Sequence, residues 1–339
     1  MNKLIKYFIY FLLIILALFL LVNFIAPKNL NLEVSEEMDA PPNLIYNLVN
    51  DLKKWEDWSP WTKLDTNVVQ TFSDNTSGVG AYVAWKGNTA IGEGRQTIKE
   101  SVSGEKIKFA MDFKGVDGLA YSNWKFNKEG NLTNVSWDFK GSDTPFAFRF
   151  FNLIMKGSLV KNYKEGLQNL KNLSEKRAND KIYNGYKINE IVMPEKHFIL
   201  NRAKVKIDNI QQFYASNLGA LFGKVTGKNV EMDGMPCGLF FKWDQEKGMT
   251  DMAASIPVKE PISIKGVGSQ TIPSSRAIQV DFYGDYSKLS NAHNAIDDYM
   301  KDYDILNDPP IIEEYVTDPT VEQDPSKWLT KITYYIAEN

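Results

Sequence analysis

The sequence is poor in the residues on which several common active sites depend. Its 339 residues include one cysteine, Cys237, which excludes an internal disulfide and any metal site built from several cysteines. The two histidines, His197 and His293, lack a second histidine at the short spacing typical of metal ligands, so we interpret both as ordinary surface or core residues. A zinc enzyme or a Ser-His-Asp hydrolase is therefore not expected, and no metal or other cofactor is predicted. A carboxylate-based site remains open.

A large charge of either sign is also lacking. Lysine and arginine total 39 against 42 aspartate and glutamate residues, which gives a net charge of −3. No basic stripe or DNA-reading motif is present, so nucleic acid is not an expected partner. Hydrophobic residues make up 43% of the chain and aromatic residues 13%, a composition typical of folded domains rather than disorder.

One long hydrophobic segment is present at the N-terminus. The 20 residues from Tyr7 to Ala26 are apolar or aromatic except for Asn23, and they would span roughly 30 Å as a helix. We predict that residues 1–27 form an uncleaved transmembrane anchor. A cleaved signal peptide and a buried core helix are the alternatives, but Phe24-Ile25-Ala26 followed by Pro27 lacks small residues at both cleavage positions.

The charges beside this segment predict its orientation. Lys3 and Lys6 precede it, whereas only Lys28 follows closely, before a group of acidic residues, Glu33, Glu36, Glu37 and Asp39. Because lysine and arginine concentrate on the cytoplasmic side, we expect a single-pass membrane protein with its N-terminus in the cytoplasm and its globular part outside.

The next part of the chain, residues 28–175, has the pattern of an antiparallel sheet with helices. Leu30, Leu32 and Val34 alternate with polar residues, which predicts a strand, and Asp39-Ala-Pro-Pro predicts the start of a helix through Leu52. Six strand-like segments follow, at residues 68–72, 81–86, 92–101, 106–113, 119–126 and 135–139. A long helix then carries an apolar face that is expected to pack on the sheet, formed by Val160, Tyr163, Leu167, Leu170 and Leu173. We predict that the polar residues 174–180 end this helix and that residues 176–182 form a linker.

Several motifs in this region together resemble the START-like, polyketide cyclase superfamily. They are Trp55-Glu-Asp-Trp58-Ser-Pro-Trp61, the segment from Gly78 to Trp85, Gly92-Glu-Gly94, the segment from Thr97 to Ser101, and Gly166-Leu-Gln-Asn-Leu170. The resemblance implies a helix-grip fold, in which a curved sheet wraps around the C-terminal helix and leaves an elongated apolar cavity. Four tryptophans are candidates for the wall of that cavity, with core packing as the alternative: Trp55, Trp58, Trp61 and Trp85.

The second half, residues 183–339, contains a weak internal repeat. Met193-Pro194 precedes a strand, an apolar helix, Met235-Pro236 and two more strands. Ile272-Pro273 is followed by the same order of elements, with Pro309-Pro310 before its last two strands. The offset is 79 residues at the first proline and 74 at the second. Two copies of strand, helix, strand, strand are predicted, with a ligand groove between them.

Three motifs in this half resemble the gyrase-inhibitor-like domain, the small-molecule effector domain of AraC-type and MerR-type regulators. They are Tyr283-Gly-Asp-Tyr286, Pro309-Pro310-Ile-Ile-Glu313-Glu-Tyr315-Val-Thr-Asp318-Pro319 and Trp328-Leu-Thr-Lys-Ile332. The resemblance implies that Glu313 lies inside the groove and complements cationic aromatic ligands, or acts on the substrate as in hydrolytic members. No helix-turn-helix accompanies these motifs, so direct DNA contact is not expected. The predicted fold class is thus α+β, with an anchor and two domains.

The candidate ligand-binding residues follow from these patterns. The strand period of two places Glu313 and Tyr315 on one face and Glu314 on the other. A buried Glu313 would need protonation, a hydrogen-bond donor or a ligand's positive charge, and a solvated strand glutamate is the alternative. The candidate aromatic walls of the groove, each with core packing as the alternative, are Phe241, Trp243, Tyr283 and Trp328. Cys237 is expected to be a buried packing residue.

The sequence leaves three functions open. The first is a membrane-tethered protein that binds or senses a small amphipathic, aromatic or cationic molecule or a lipid. The second is a hydrolase or cyclase that uses Glu313 and Tyr315 as an acid–base pair. The third is an envelope scaffold with vestigial pockets.

Overall fold

A computed structural model describes residues 3–338 of the chain, so that Met1, Asn2 and Asn339, at the ends of the predicted anchor and second domain, lie outside it. The chain divides into two compact units, Met1–Asn179 and Asp180–Asn339. Each unit contains one large antiparallel sheet and helices, which confirms the predicted α+β class.

The first unit begins with the apolar helix α1 (Lys3–Ile25). Among residues 3–338 it is the single helix long and apolar enough to cross a membrane, although a signal sequence would satisfy the same criterion. Asn23, the polar residue of its apolar segment, is fully buried, and its amide donates to the carbonyl of Phe19. The polar side chain is therefore not exposed on the apolar surface of α1.

A seven-stranded sheet follows in the first unit. Its strands are β1 (Asn31–Met38), β2 (Val69–Phe72), β3 (Tyr82–Lys86), β4 (Glu93–Val102), β5 (Lys106–Phe113), β6 (Ala120–Glu129) and β7 (Leu132–Lys140). They are antiparallel in the order β1-β7-β6-β5-β4-β3-β2, so the predicted antiparallel sheet is present and β1 pairs with β7. The helices are α2 (Pro42–Asn50), α3 (Trp61–Leu64) and α4 (Phe150–Asp180), with 3₁₀ turns at Leu52–Asp57 and Phe146–Phe148.

Helix α4 buries the predicted apolar face. Tyr163, Leu167 and Leu170 are buried, and the Tyr163 ring stacks on Trp137 of the sheet at 3.8 Å. Residues 174–180 are all part of α4, which ends at Asp180, and β8 begins at Ile182. Ser174 is buried on this added part and lies 3.8 Å from the Met38 sulfur. The predicted linker at 176–182 is therefore mostly helix, since tertiary contacts extend a segment whose residues are themselves compatible with a helix.

The second unit contains an eight-stranded sheet and a small two-stranded one. The strands are β8 (Ile182–Tyr183), β9 (Tyr186–Lys187), β10 (Asn189–Met193), β11 (Lys196–Lys206), β12 (Cys237–Asp244), β13 (Met249–Val258), β14 (Gly268–Ile272), β15 (Ser275–Tyr283), β16 (Asn307–Tyr315) and β17 (Leu329–Ile336). The helices are α5 (Ile210–Thr226) and α6 (Leu289–Tyr303), with 3₁₀ turns at Ile207–Asn209, Tyr286–Lys288 and Pro325–Lys327.

The order of the large sheet shows the internal duplication. It runs β10-β15-β17-β16-β12-β13-β11-β14, so that β11-α5-β12-β13 and β15-α6-β16-β17 are two copies of the predicted unit. The copies meet where β12 pairs with β16, and Gly238 lies opposite Glu313 in that pairing. The duplicated strand, helix, strand, strand order is therefore confirmed.

Candidate functional site

A groove of about 1830 Å³ opens between the two copies of the repeat in the second unit. Residues from both helices and from the strands at the junction line it, including Tyr214 on α5, His293 on α6 and Glu313 on β16. The junction strands β12 and β16 pair over only four residues, from Cys237 to Phe240. The chain beyond these pairs lines the groove instead of continuing the ladder. The short pairing thus leaves room for a ligand between the copies.

The Glu313 carboxylate lies in this groove and is held on both oxygens. Glu313 is 7% exposed, and its Oε1 lies 2.9 Å from Nε2 of His293. Its Oε2 accepts a 2.7 Å hydrogen bond from the Tyr315 hydroxyl. Glu314, the next residue, has its Oε1 bound by the backbone N–H of Met235 instead. The alternation of the strand therefore separates the two glutamates onto different faces.

Two more tyrosines extend these contacts into a connected series of hydrogen bonds around Glu313, which we call the carboxylate chain. The hydroxyl oxygens of Tyr315 and Tyr214 lie 3.1 Å apart, and His293 Nδ1 lies 3.0 Å from the Tyr334 hydroxyl. A phenol carries one proton, so when Tyr315 donates to Glu313 the Tyr214 hydroxyl is the donor to Tyr315. When Nε2 of a neutral His293 donates to Glu313, Nδ1 accepts the Tyr334 proton. Every hydrogen bond in the chain then points toward the carboxylate.

Burial keeps the phenols of this chain protonated. Removal from solvent raises the pKa of Tyr214 and of Tyr315 well above the usual value, and the nearby charge of Glu313 acts in the same direction. Burial also raises the pKa of Tyr334, and the charges of Asp297 and Glu313 add to it. The three hydroxyls therefore act as neutral hydrogen-bond donors rather than as bases at neutral pH.

Aromatic rings form much of the groove wall near Glu313. Tyr286 packs on Tyr315 at 5.4 Å and on Trp328 at 5.1 Å. On β12, Phe240 and Trp243 lie 6.0 Å apart and both line the groove. Trp243 is 50% exposed, so its ring is available to a bound molecule. The arrangement offers flat apolar surfaces around a single buried carboxylate.

Five of the six predicted ligand-binding residues line this groove: Phe241, Trp243, Glu313, Tyr315 and Trp328. Tyr283 does not line it and is 61% exposed elsewhere. Its neighbour Phe282 points into the core at 1% exposure, and strand alternation turns Tyr283 to the opposite face. The prediction for Tyr283 was therefore wrong. Its motif has a structural role, since Asp285 caps the following turn by accepting from the N–H of Ser287.

The tryptophans of the first unit are packed among other rings. Trp58 is 1% exposed, with Trp55 at 4.6 Å and Trp124 at 5.7 Å, so its assignment as a cavity wall is replaced by core packing. Trp55, Trp61 and Trp85 are half-buried. Trp61 lies 5.8 Å from Tyr163 of α4, and Trp85 packs edge-on against Phe113.

Sequence reasoning missed Tyr214 and His293, which both reach the carboxylate chain from helices. A signal for them was present in the repeat, because Tyr214 and His293 are 79 residues apart, the same separation as Pro194 and Pro273. The two residues thus occupy equivalent positions in the two copies. His197, in contrast, lies outside the groove and is within 2.9 Å of Thr271 Oγ1.

No metal-binding arrangement of side chains is present in the part of the chain that the structure describes. Residues 3–338 contain no group of three or more His, Cys, Asp or Glu side chains placed to hold a metal ion. Cys237 is buried, its thiol lies 3.2 Å from the carbonyl of Met235, and burial raises the pKa of the thiol well above its usual value. This cysteine is therefore a packing residue rather than a thiolate nucleophile.

Comparison with known proteins gives a family for each unit. Residues 30–175 match the family model described as polyketide cyclase / dehydrase and lipid transport, and residues 186–336 match the GyrI-like small molecule binding domain. A search of curated proteins found no match.

Among solved structures, the C-terminal domain of EcmrR is 19% identical over 45% of this chain and 99% of its own, with a TM-score of 0.41. Protein CV1439 from Chromobacterium violaceum is 16% identical over 43% and 97% of the two chains, with a TM-score of 0.33. A hydrolase from Listeria innocua is 16% identical over 44% and 91%, with a TM-score of 0.33.

Proposed function

The chain joins a domain of the polyketide cyclase and lipid transport family to a GyrI-like small-molecule-binding domain, and we propose that it is a membrane-tethered binding or sensing protein. Its ligand in the second domain is a cationic, aromatic, amphipathic molecule. The observation that carries this proposal is the buried Glu313 carboxylate in a groove with aromatic walls.

Charge favours a cationic ligand. A buried carboxylate costs several kcal/mol unless its charge is compensated, and the hydrogen bonds from Tyr315 and His293 supply part of that compensation. A ligand cation in the groove would supply the rest. Four aspartates also line the groove, against two lysines, so carboxylates outnumber cations along its wall: Asp208, Asp285, Asp297 and Asp318, with Lys242 and Lys301. An anionic ligand would instead meet this excess of negative charge.

Shape favours a planar ligand. The rings of Tyr286, Tyr315 and Trp328 form one continuous surface, and Phe241 and Trp243 lie on the strand of the other copy. Flat rings attract both aromatic systems and cations, the latter by about 0.5–2 kcal/mol per favourable contact. The volume of the groove accommodates a molecule of several fused rings.

The N-terminal helix supports a membrane location for this binding activity. Helix α1 has the length of a bilayer span, and Lys3 and Lys6 before it favour a cytoplasmic N-terminus. The globular units would then lie outside the cytoplasm. Membership of the first unit in a family that includes lipid transport favours a lipophilic ligand there, close to the bilayer from which such a molecule would come.

Fluorescence titration tests the groove, because two of the eight tryptophans, Trp243 and Trp328, line it. Full-length protein in detergent is titrated with a planar cationic dye, ethidium, and with an uncharged planar compound, pyrenemethanol. We expect Glu313→Gln to weaken ethidium binding at least tenfold and to change pyrenemethanol binding little. The control Glu260→Gln alters the net charge equally at an exposed residue outside the groove and should bind both compounds as the unsubstituted chain does. Equal affinity of Glu313→Gln and the unsubstituted chain for ethidium would contradict the proposal.

A second candidate function is hydrolysis or cyclisation with Glu313 and Tyr315 as an acid–base pair. It is favoured by the 2.7 Å hydrogen bond between their side chains and by the His293 contact on the other carboxylate oxygen. Glu313 would accept a proton from water or substrate, and Tyr315 would donate one. Turnover of an ester panel that disappears in Glu313→Gln, with the fold retained by circular dichroism, would favour this function. Binding without turnover in either form would exclude it for that panel.

A further inference from the structure

A group of large apolar side chains is exposed at the start of helix α4. Within ten residues, six such side chains are between 40% and 68% exposed: Phe146, Phe148, Phe151, Leu153, Ile154 and Met155. The rings of Phe148 and Phe151 stack at 6.4 Å, and we call the six side chains together the 146–155 patch. Apolar patches of this kind are uncommon on water-exposed surfaces and indicate a binding partner.

The 146–155 patch is attached to the C-terminal end of α1. The backbone N–H of Phe150 donates to Asn23 Oδ1 at 3.0 Å, and the Phe150 ring meets Phe19 edge-on at 6.0 Å. The Asn152 amide donates to the carbonyl of Pro27 at 2.9 Å. These contacts give the patch a definite position along the axis of α1.

That position determines the depth of the patch in a membrane that α1 spans. Helix α1 has 23 residues and is about 35 Å long, slightly more than the roughly 30 Å hydrocarbon core. Phe19 lies six residues before Ile25, which is about 9 Å along the axis. If Ile25 lies at the edge of the hydrocarbon, Phe150 packs beside a turn of α1 that lies inside the hydrocarbon core. Interfacial segments insert to a similar depth of about 5–10 Å.

The charges around the patch also fit a lipid surface. Arg149 is the one charged residue between 145 and 155, and its guanidinium lies 5.5 Å from the centre of the Phe146 ring. Lys156 follows immediately, and Lys28 pairs with Asp143 at 2.5 Å. Long basic side chains at this level can reach the phosphate groups while their stems remain among apolar atoms.

We propose that the 146–155 patch inserts into the bilayer as a second membrane contact beside α1. The first unit is then held against the lipid by two adjoining elements and has a fixed orientation, rather than hanging from one flexible connection. This inference rests on the proposed membrane span by α1, which the experiment below measures separately.

Depth-dependent quenching tests the proposal on the full-length chain in phosphatidylcholine–phosphatidylglycerol nanodiscs. A single introduced cysteine carries the dye NBD at Ile154→Cys, with Ile14→Cys as a probe of α1 and Asn131→Cys as a probe of the turn between β6 and β7. That turn is a suitable control because it lies far from the anchor. Lys140, at one end of β7, pairs with Asn31 near α1, and the turn lies at the other end of β7, about 27 Å along the strand. Cys237 is buried, and the unsubstituted chain supplies its labelling background.

Lipids with a nitroxide at the fifth acyl carbon should quench the dye at residue 154 at least twofold and leave the dye at residue 131 unchanged. The dye at residue 14 should be quenched by nitroxides placed deeper along the acyl chain. No quenching at residue 154 with normal quenching at residue 14 would overturn the second contact and leave the anchor intact. Absent quenching at residue 14 would overturn both. If the labelled residue 154 is not quenched and the unlabelled Ile154→Cys forms disulfide-linked dimers under mild oxidation, a second copy and not lipid covers the patch, which would also overturn the proposal.

Discussion

The hydroxyl group of Tyr214 lies in the space into which a side chain at Gly238 would project. An ideal Cβ atom on Gly238 would be 2.0 Å from Tyr214 Oη and 3.1 Å from its Cζ. Gly238 is also the residue that pairs with Glu313 across the junction of the two copies. The glycine therefore allows a tyrosine from α5 to reach the carboxylate chain. A glycine is required here because the tyrosine side chain approaches the backbone closely, and not because the backbone has an unusual conformation.

We expect Gly238→Ala to weaken ligand binding through Tyr214. The added methyl group must push the tyrosine ring aside, because the clash is with the far end of that side chain, and the contact with Tyr315 is then lost. The affinity for ethidium should fall about tenfold, which corresponds to about 1.4 kcal/mol. Overpacking should lower the free energy of unfolding by about 1–3 kcal/mol. Tryptophan fluorescence measures both quantities.

A glycine on α5, the helix that carries Tyr214, provides the matched control. A Cβ atom added at Gly223 would meet no atom within 4 Å. Gly223→Ala should therefore leave the affinity unchanged and stabilise the helix by about 0.5–1 kcal/mol. Unchanged affinity in Gly238→Ala as well would show that the position of Tyr214 does not matter for binding.

The parts of the site that could be predicted from the sequence depend on local periodicity. Glu313 and Tyr315 share a face because alternation along a strand is a property of neighbouring residues, and the structure has them hydrogen-bonded. The same alternation would have placed Tyr283 on the outer face only if Phe282, its neighbour, had been known to point into the core. His293 and Tyr214 come from helices whose placement is tertiary, and only the 79-residue offset connects them in the sequence.

The fold was predictable to the level of element order. The strands of the first unit were located within a few residues, since turn-forming residues separate them. The end of α4 could not be located in the same way, because residues 174–180 are polar and Ser174 is nevertheless buried beside Met38. The dense ring packing around Trp58 was likewise hidden, since a tryptophan that lines a cavity and one that fills a core look the same in a sequence.

The stability of the protein should fall at alkaline pH because of its buried tyrosines. Burial raises the pKa of Tyr214 and Tyr315 well above the usual value of 10.0, and raises the pKa of Tyr335 to about 12. Below pH 10 these phenols are protonated in both the folded and the unfolded chain. As the pH rises above 10 the unfolded phenols ionise first, so the unfolded state gains stability, by about 1 kcal/mol per such tyrosine at pH 11.

Urea unfolding at pH 8 and pH 11 measures this loss. The absorbance of tyrosinate at 295 nm should rise together with unfolding for the buried groups. Tyr315→Phe should reduce the difference in unfolding free energy between the two pH values, whereas Tyr283→Phe, at an exposed residue, should retain it. An unfolding free energy that is equal at both pH values would contradict the burial of these hydroxyls.

Asn23→Leu should destabilise the first unit, although it makes α1 more apolar. Asn23 Oδ1 accepts the N–H of Phe150 at the first turn of α4, and a leucine would leave that donor without its partner in a buried place. Loss of such a cap costs about 0.5–2 kcal/mol. The control Asn172→Leu removes an exposed asparagine of α4 and should change stability by no more than about 0.5 kcal/mol. Thermal unfolding followed by tryptophan fluorescence in detergent compares the two, and equal stability would indicate that Asn23 has no capping role.

Protease treatment of intact spheroplasts should cleave the globular units, because Lys3 and Lys6 favour a cytoplasmic N-terminus. A blot against the second unit would then show loss of the full-length band before lysis, whereas a cytoplasmic marker protein stays intact. Lys3→Glu combined with Lys6→Glu removes the positive charges before α1 and leaves Lys28 after it, so a protected, inverted fraction should appear. Protection of the unsubstituted chain until lysis would place both units in the cytoplasm, and the ligand of the groove would have to be sought there.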